Sequence, residues 1–205
     1  MIKRKNYLSF IVFVVLTFCI GACSQSNNDQ VDAEPIINET DPIDEKINQA
    51  LLPLPEDLRS GATVYEYDEE GHRIVHRQGD NHVECQVLDE RGFNWCYPVA
   101  SSLRRDYQAK LSAQGISGED LQAAMLEAEE SGEVEPWKAG SLIYRTYYDD
   151  DRIKLLWVVL LPGMMADDLG MSLESQRDPS LAGMGRPWMM REGTPGAHLM
   201  IPING

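Results

Sequence analysis

Two short runs of alternating residues, each holding one cysteine, constrain the fold of this chain more than any other feature. Val83, Cys85 and Val87 alternate with Glu84 and Gln86, and Phe93, Trp95 and Tyr97 alternate with Asn94 and Cys96. Alternation with period two is the pattern of a strand with one buried face. Asp89-Glu90-Arg91-Gly92 forms a turn-like connection between the runs. The pattern places Cys85 and Cys96 on neighbouring strands.

The remaining segments follow the same logic. Thr63–Tyr67 and Arg73–Arg77 are rich in Val, Ile and Tyr and are separated by Asp68-Glu69-Glu70-Gly71, which predicts a hairpin. Leu103, Tyr107 and Leu111 recur at helical spacing, with Gly115 placed as a C-terminal cap. A second helix opens at Ser117-Gly118-Glu119-Asp120, which resembles a capping box, and carries an apolar stripe of Leu121, Ala124, Met125 and Ala128. Ser141–Tyr148 and Ile153–Leu161 read as strands around an acidic turn, Asp149–Asp151. Leu155–Leu161 is apolar throughout, as in a strand covered on both faces. Residues 162–196 are rich in Gly, Pro and Met and show no period, so a long irregular segment is expected before a closing strand over Ala197–Pro202. The fold class is α+β: mostly antiparallel strands, two adjacent helices and an irregular C-terminal segment, in one domain spanning residues 53–205.

The first 52 residues are of another kind. Lys3, Arg4 and Lys5 precede an almost wholly apolar run, Leu8–Ile20, which gives way to Gly21 and the polar Ser24-Gln25-Ser26-Asn27-Asn28. A spanning helix needs about 20 apolar residues, whereas the apolar core of an export signal needs roughly 7–15. Residues 1–22 therefore read as an export signal. Ile20-Gly21-Ala22-Cys23 resembles the lipobox of bacterial lipoproteins, which implies cleavage before Cys23 and a diacylglyceryl group on its thiol. Two or more acyl chains make a stable anchor. Ser24 follows the cysteine where an aspartate tends to retain such proteins at the inner membrane. The resemblance thus implies the outer membrane, facing the periplasm, in preference to the inner membrane. Residues 23–52 read as the lipidated cysteine and a polar tether, with one helical turn near Asp44–Leu51. A flexible coil of that length spans roughly 30 Å. Cys19 leaves with the signal, so Cys85 and Cys96 are the cysteines that remain besides the anchor. Export into an oxidising compartment makes them a disulfide. The ten residues between them fit no redox or zinc CxxC pattern.

Charge narrows the partners. The signal carries three of the 18 basic residues and no acidic one, so 15 basic residues face 33 acidic ones after cleavage, a net charge of −18. Such a surface repels phosphate backbones and anionic lipid heads. Nucleic acid is excluded as a partner, and membrane attachment has to come from the lipid.

The segment Pro187–Pro202 contains a methionine pair, then Gly193-Thr194-Pro195, then Ala197-His198-Leu199-Met200. It resembles the C-terminal signature of a loose group of exported bacterial proteins without a known function, and the likeness extends back over Gln78–Cys96. The resemblance implies a recurring secreted domain and no particular activity.

Candidate chemistry is sparse. His72, His76 and His82 lie near Cys85 and suggest zinc. On a strand, however, His72 and His76 would stand about 13 Å apart, too far for one ion. Seven methionines fall within the last 42 residues. Met189, Met190, Met200 and His198 form a thioether and imidazole set of the kind that suits Cu(I), although methionine also fills irregular cores. No Gly-x-Ser-x-Gly elbow is present, so an enzyme would have to be built around His198. No catalytic residue and no cofactor is assigned. The leading expectation is a non-catalytic, lipid-anchored domain that binds another envelope component or ligand, or serves an accessory structural role. Copper handling is the alternative, and an enzyme using His198 stands third.

Overall fold

The computed structural model describes residues 42–88, 92–147, 154–181 and 184–203. The expected export signal, Cys23 and residues 89–91 and 148–153, where turns are expected, lie outside the described residues. None of the described helices is long and apolar enough to cross a membrane.

Eight strands form one sheet. They are β1 (Thr63–Tyr67), β2 (Arg73–Arg77), β3 (Val83–Gln86), β4 (Phe93–Pro98), β5 (Leu142–Tyr147), β6 (Leu155–Leu160), β7 (Trp188–Met190) and β8 (His198–Pro202), in the order β2-β1-β3-β4-β5-β6-β8-β7. Among the described residues five α-helices accompany them: α1 (Pro42–Ala50), α2 (Glu56–Arg59), α3 (Ser102–Ala113), α4 (Gly118–Glu130) and α5 (Ala166–Leu169). The α+β class with a mostly antiparallel sheet is thus observed. One pairing, β1 with β3, is parallel. The crossover that permits it runs through Gly79, where a Cβ would lie 2.2 Å from the Gly61 carbonyl oxygen, so only glycine fits.

Cys85 lies opposite Cys96 in the β3–β4 register and is bonded to it, with the Cα atoms 4.0 Å apart. The bond lies on the face that also carries Val64, Val83 and Tyr144, and the segment Ala50–Leu54 covers this face. The helical turn expected near Asp44–Leu51 is thus observed as α1, and it is packed on the sheet. Residues 42–52 are folded: Ala50 and Leu51 are buried, and Asn94 donates a hydrogen bond to the Gln49 carbonyl. The reason is the apolar set Ile47, Ala50, Leu51 and Leu54, which packs over the disulfide and outweighs the polar character of the surrounding sequence.

The other face carries Tyr67, Glu84, Gln86, Trp95, Tyr97 and Arg145, as their pairing partners require. α3 lies against this face at the β1–β4 end. Its expected inward stripe is only partly observed. Tyr107 and Leu111 pack with Met125, Ala128 and Val134 from α4 and the chain beyond it, but Leu103 is 80% exposed. Ser117 makes no capping hydrogen bond with its side chain at the start of α4, so the expected capping box is not formed.

Burial alternates along β6, with Leu156, Val158 and Leu160 buried and Trp157 and Val159 partly exposed. The expectation of complete cover on both faces is corrected accordingly. The expected irregular stretch at residues 162–196 is also interrupted. It contains α5, a 3-10 turn at Pro179–Leu181 and the edge strand β7, whose Trp188 and Met189 are buried. A three-residue strand is too short to show a period in sequence.

Candidate functional site

The alternation in β4 that points Cys96 at α1 points Trp95 and Tyr97 the opposite way, toward α3. Their rings stack with an interplanar angle of 17° and centroids 5.9 Å apart. Tyr97 stacks in turn on Trp137, and Phe93 lies beside Trp95. Arginines lie over this aromatic stripe. Arg145 is 4.5 Å from the Trp95 ring centre, Arg105 is 3.9 Å from that of Tyr97, and Arg104 is 5.0 Å from that of Trp137. Cation–π contacts of this kind contribute roughly 0.5–2 kcal/mol each.

Between the stripe, α3 and the β1–β2 turn lies a cleft of about 680 Å³. Gln86, Trp95, Tyr97 and Arg105 line it together with Tyr67, Gln108 and Arg191. The turn holds one wall in place. The Asp68 carboxylate accepts hydrogen bonds from the backbone N–H groups of Glu70 and His72, at 3.1 and 2.7 Å. Gly71, with φ +79°, lies so close to α3 that a Cβ there would be 2.6 Å from the Ala109 carbonyl oxygen. A second cleft of about 410 Å³ adjoins the first, sharing Gln108 and Arg191, and is lined by the apolar Leu121, Met125 and Leu126 of α4.

Two neighbouring arginines of this face have opposite surroundings. Arg73 grips Glu84 and Asp106, so its charge is neutralised within the protein. Arg105 donates to the side-chain oxygens of Gln86 at 2.7 Å and Gln108 at 3.5 Å. It has no carboxylate partner among the described residues. Its guanidinium also meets the buried Tyr65 hydroxyl, whereas the indole N–H of Trp95 is buried without an acceptor. Burial raises the pKa of the adjacent Tyr65 and Tyr67 phenols, so both stay neutral and offer Arg105 no counter-charge.

The proposed copper set is divided by the sheet. His198 pairs with Met190 across strands and shares its face with Met200, whereas Met189 points to the opposite face and packs with Ala166 and Ala197. The Met190 sulfur accepts from Arg177 at 3.2 Å. His198 Nδ1 lies 2.7 Å from the Gly196 carbonyl and donates to it, leaving Nε2 as the acceptor. Burial lowers the pKa of His198, and the positive charges of Arg191, Arg177 and Arg145 add to this. A cation would meet three guanidinium groups here.

The remaining histidines stay apart. His76 pairs with Glu66, and His82 is exposed. Asp68, Glu70 and His72 place ligand atoms within 4.8 Å of one another on the β1–β2 turn, but Asp68 is already engaged in holding that turn. No protein-family model, no curated protein and no solved structure matches this chain.

Proposed function

We propose that this is an exported, lipid-anchored protein whose folded part binds a ligand in the cleft beneath α3 without transforming it. The supporting observation is the lining of the cleft: stacked rings, amides and a guanidinium group without an internal counter-charge. Pockets of this kind orient a ligand through a few placed polar groups against apolar walls. Anchorage through Cys23, with the outer membrane as destination, is part of the same reading and rests on the lipobox resemblance.

Two experiments test it. Mature protein titrated with fractionated, envelope-derived small molecules and peptides should show a saturable change in tryptophan fluorescence. Trp95→Ala should remove that change, and the bound species should be recovered with unaltered mass. Recovery of a chemically altered species would assign catalysis instead. For the anchor, Cys23→Ala should lose metabolic incorporation of a fatty-acid analogue and partition into the soluble fraction; label retained by the variant would overturn the lipobox assignment.

A further inference from the structure

We infer that Arg105 is the docking point for a ligand carboxylate, held in the cleft with its flat or apolar body against Trp95; this rests on the binding role proposed above.

The first support is a missing counter-ion. Acidic residues outnumber basic ones 33 to 18 in this chain, so an arginine near a carboxylate is the expected situation. Arg73 has two such partners on the same face. Arg105 is half-buried, held by two neutral amides and the neutral Tyr65 phenol, and no carboxylate pairs with it among the described residues. A charge withdrawn from water without a counter-charge is costly, and a ligand anion at the cleft-facing end of the guanidinium supplies one.

The second support is position. The guanidinium borders the larger cleft and stacks on Tyr97, whose ring continues into that of Trp95. Stacking fixes the plane of the guanidinium fork, and a planar fork matches a planar carboxylate through paired hydrogen bonds. The adjoining Trp95 side chain lines the same cleft and offers apolar contact to the rest of the ligand.

The third support is Arg191. It has φ +57°, the left-handed conformation that a residue with a side chain adopts at a cost of roughly 1–2 kcal/mol. That conformation brings its side chain to the border of both clefts, hydrogen-bonded to Gln122. Like Arg105, it has no ion pair among the described residues. Asp68 and Glu69 line the same cleft, and their charge favours a singly charged anion over a dianionic phosphate.

The test uses full-length mature protein in detergent and isothermal titration. Phenylacetate, its neutral amide and phenyl phosphate are compared, with a short peptide ending in phenylalanine as the free acid and as the C-terminal amide. Phenylacetate or the free-acid peptide should bind at least about tenfold more tightly than its amide, as expected for a charge-assisted hydrogen bond. Preference for the peptide points to a chain terminus as the source of the carboxylate, and preference for phenylacetate points to a small acid. Arg105→Gln should lose the discrimination. Because that variant also disturbs packing on Tyr97, Gln86→Glu is the decisive one. It supplies an internal carboxylate at the position of an existing 2.7 Å contact, so it should keep or raise the melting temperature while abolishing carboxylate binding. Equal binding of acid and amide overturns the carboxylate assignment but leaves a binding cleft. Tighter binding of phenyl phosphate, unimpaired binding to Gln86→Glu, or no binding of any carboxylate probe overturns the assignment as well. The binding role itself is judged separately, by the titration with envelope fractions.

Discussion

Arg73 holds Glu84 with both terminal nitrogens of its guanidinium group, at 2.9 and 3.2 Å. The pair joins edge strand β2 to β3 across β1. Asp106 of α3 meets the same guanidinium at 2.7 Å, and Ser102 donates to Glu84 at 2.8 Å. Three strands and one helix are therefore fixed at a single charge cluster. Arg105 precedes Asp106 on α3 but pairs with none of these carboxylates.

Removing one partner of this pair should cost more than removing both. The Glu84 side chain is only 5% exposed, and burial already raises its pKa against the opposing pull of Arg73. Arg73→Met leaves that carboxylate unpaired and should destabilise the protein by about 3–5 kcal/mol. The double variant Arg73→Met/Glu84→Gln should recover a substantial part of the loss. Chemical denaturation of wild type, Arg73→Met, Glu84→Gln and the double variant measures these values, and additive losses would show that the pair is not coupled.

The wall of the cleft depends on one glycine. Gly71→Ala adds a Cβ 2.6 Å from the Ala109 carbonyl oxygen, at a backbone φ of +79°. Both effects act against the variant, and α3 has to move away from the β1–β2 turn. A loss of about 2–3 kcal/mol is expected from strain and displaced packing. Ligand binding in the cleft should weaken in parallel. Gly115→Ala is the control: its φ is +84°, but a Cβ there meets nothing within 4 Å. It should therefore cost only the conformational part.

The Cys85–Cys96 bond crosses adjacent strands and closes a short loop. In the chain-entropy description such a loop contributes about 3 kcal/mol. The double variant Cys85→Ser/Cys96→Ser should lower the melting temperature by several degrees, and reduction of the wild-type protein should have the same effect. Equal melting of oxidised and reduced wild-type protein would show that the contact between Ala50–Leu54 and β3–β4 carries that face alone.

The strands were legible in the sequence because alternation repeats every two residues and each run is bounded by turn residues. The disulfide was legible because its two cysteines lie in such runs. The cleft was not legible: Trp95 and Tyr97 read only as alternating residues of a strand. Arg105 gave no sign, because a charged residue on an amphipathic helix ordinarily reads as solvated. The stripe of Leu103, Tyr107 and Leu111 pointed to one inward face, whereas α3 buries two, one on α4 and one on the sheet. The parallel pairing of β1 with β3 was hidden as well, since it depends on a contact at Gly79 between segments distant in sequence. The helix near Asp44–Leu51 was legible, but its packing on the sheet was not, because four apolar residues among polar ones carry little weight until the disulfide face they cover is known.

His198 gives the final prediction, which concerns pH. Its folded-state pKa is lowered, first by burial and then by the positive charges of Arg191, Arg177 and Arg145, despite the opposing hydrogen bond to the Gly196 carbonyl. The unfolded chain, with the ordinary value near 6.5, therefore takes up the proton first as pH falls. Folding stability linked to this residue is intact above about pH 6.5 and is lost as the pH drops through the folded-state value. Wild-type protein should accordingly lose stability between pH 7 and pH 5 more steeply than His198→Gln, by a slope equivalent to at most one proton. At pH 7 the glutamine variant should be modestly less stable, because the bond to Gly196 is disturbed. Nuclear magnetic resonance titration of the imidazole, with denaturation curves at both pH values, measures each quantity. The copper reading predicts a different pattern. There, Cu(I) would bind through Nε2 and the neighbouring thioethers, raise the melting temperature of wild-type protein and leave the glutamine variant unaffected. With three guanidinium groups around the imidazole and the Met190 sulfur engaged by Arg177, Cu(I) is expected to leave both melting temperatures unchanged.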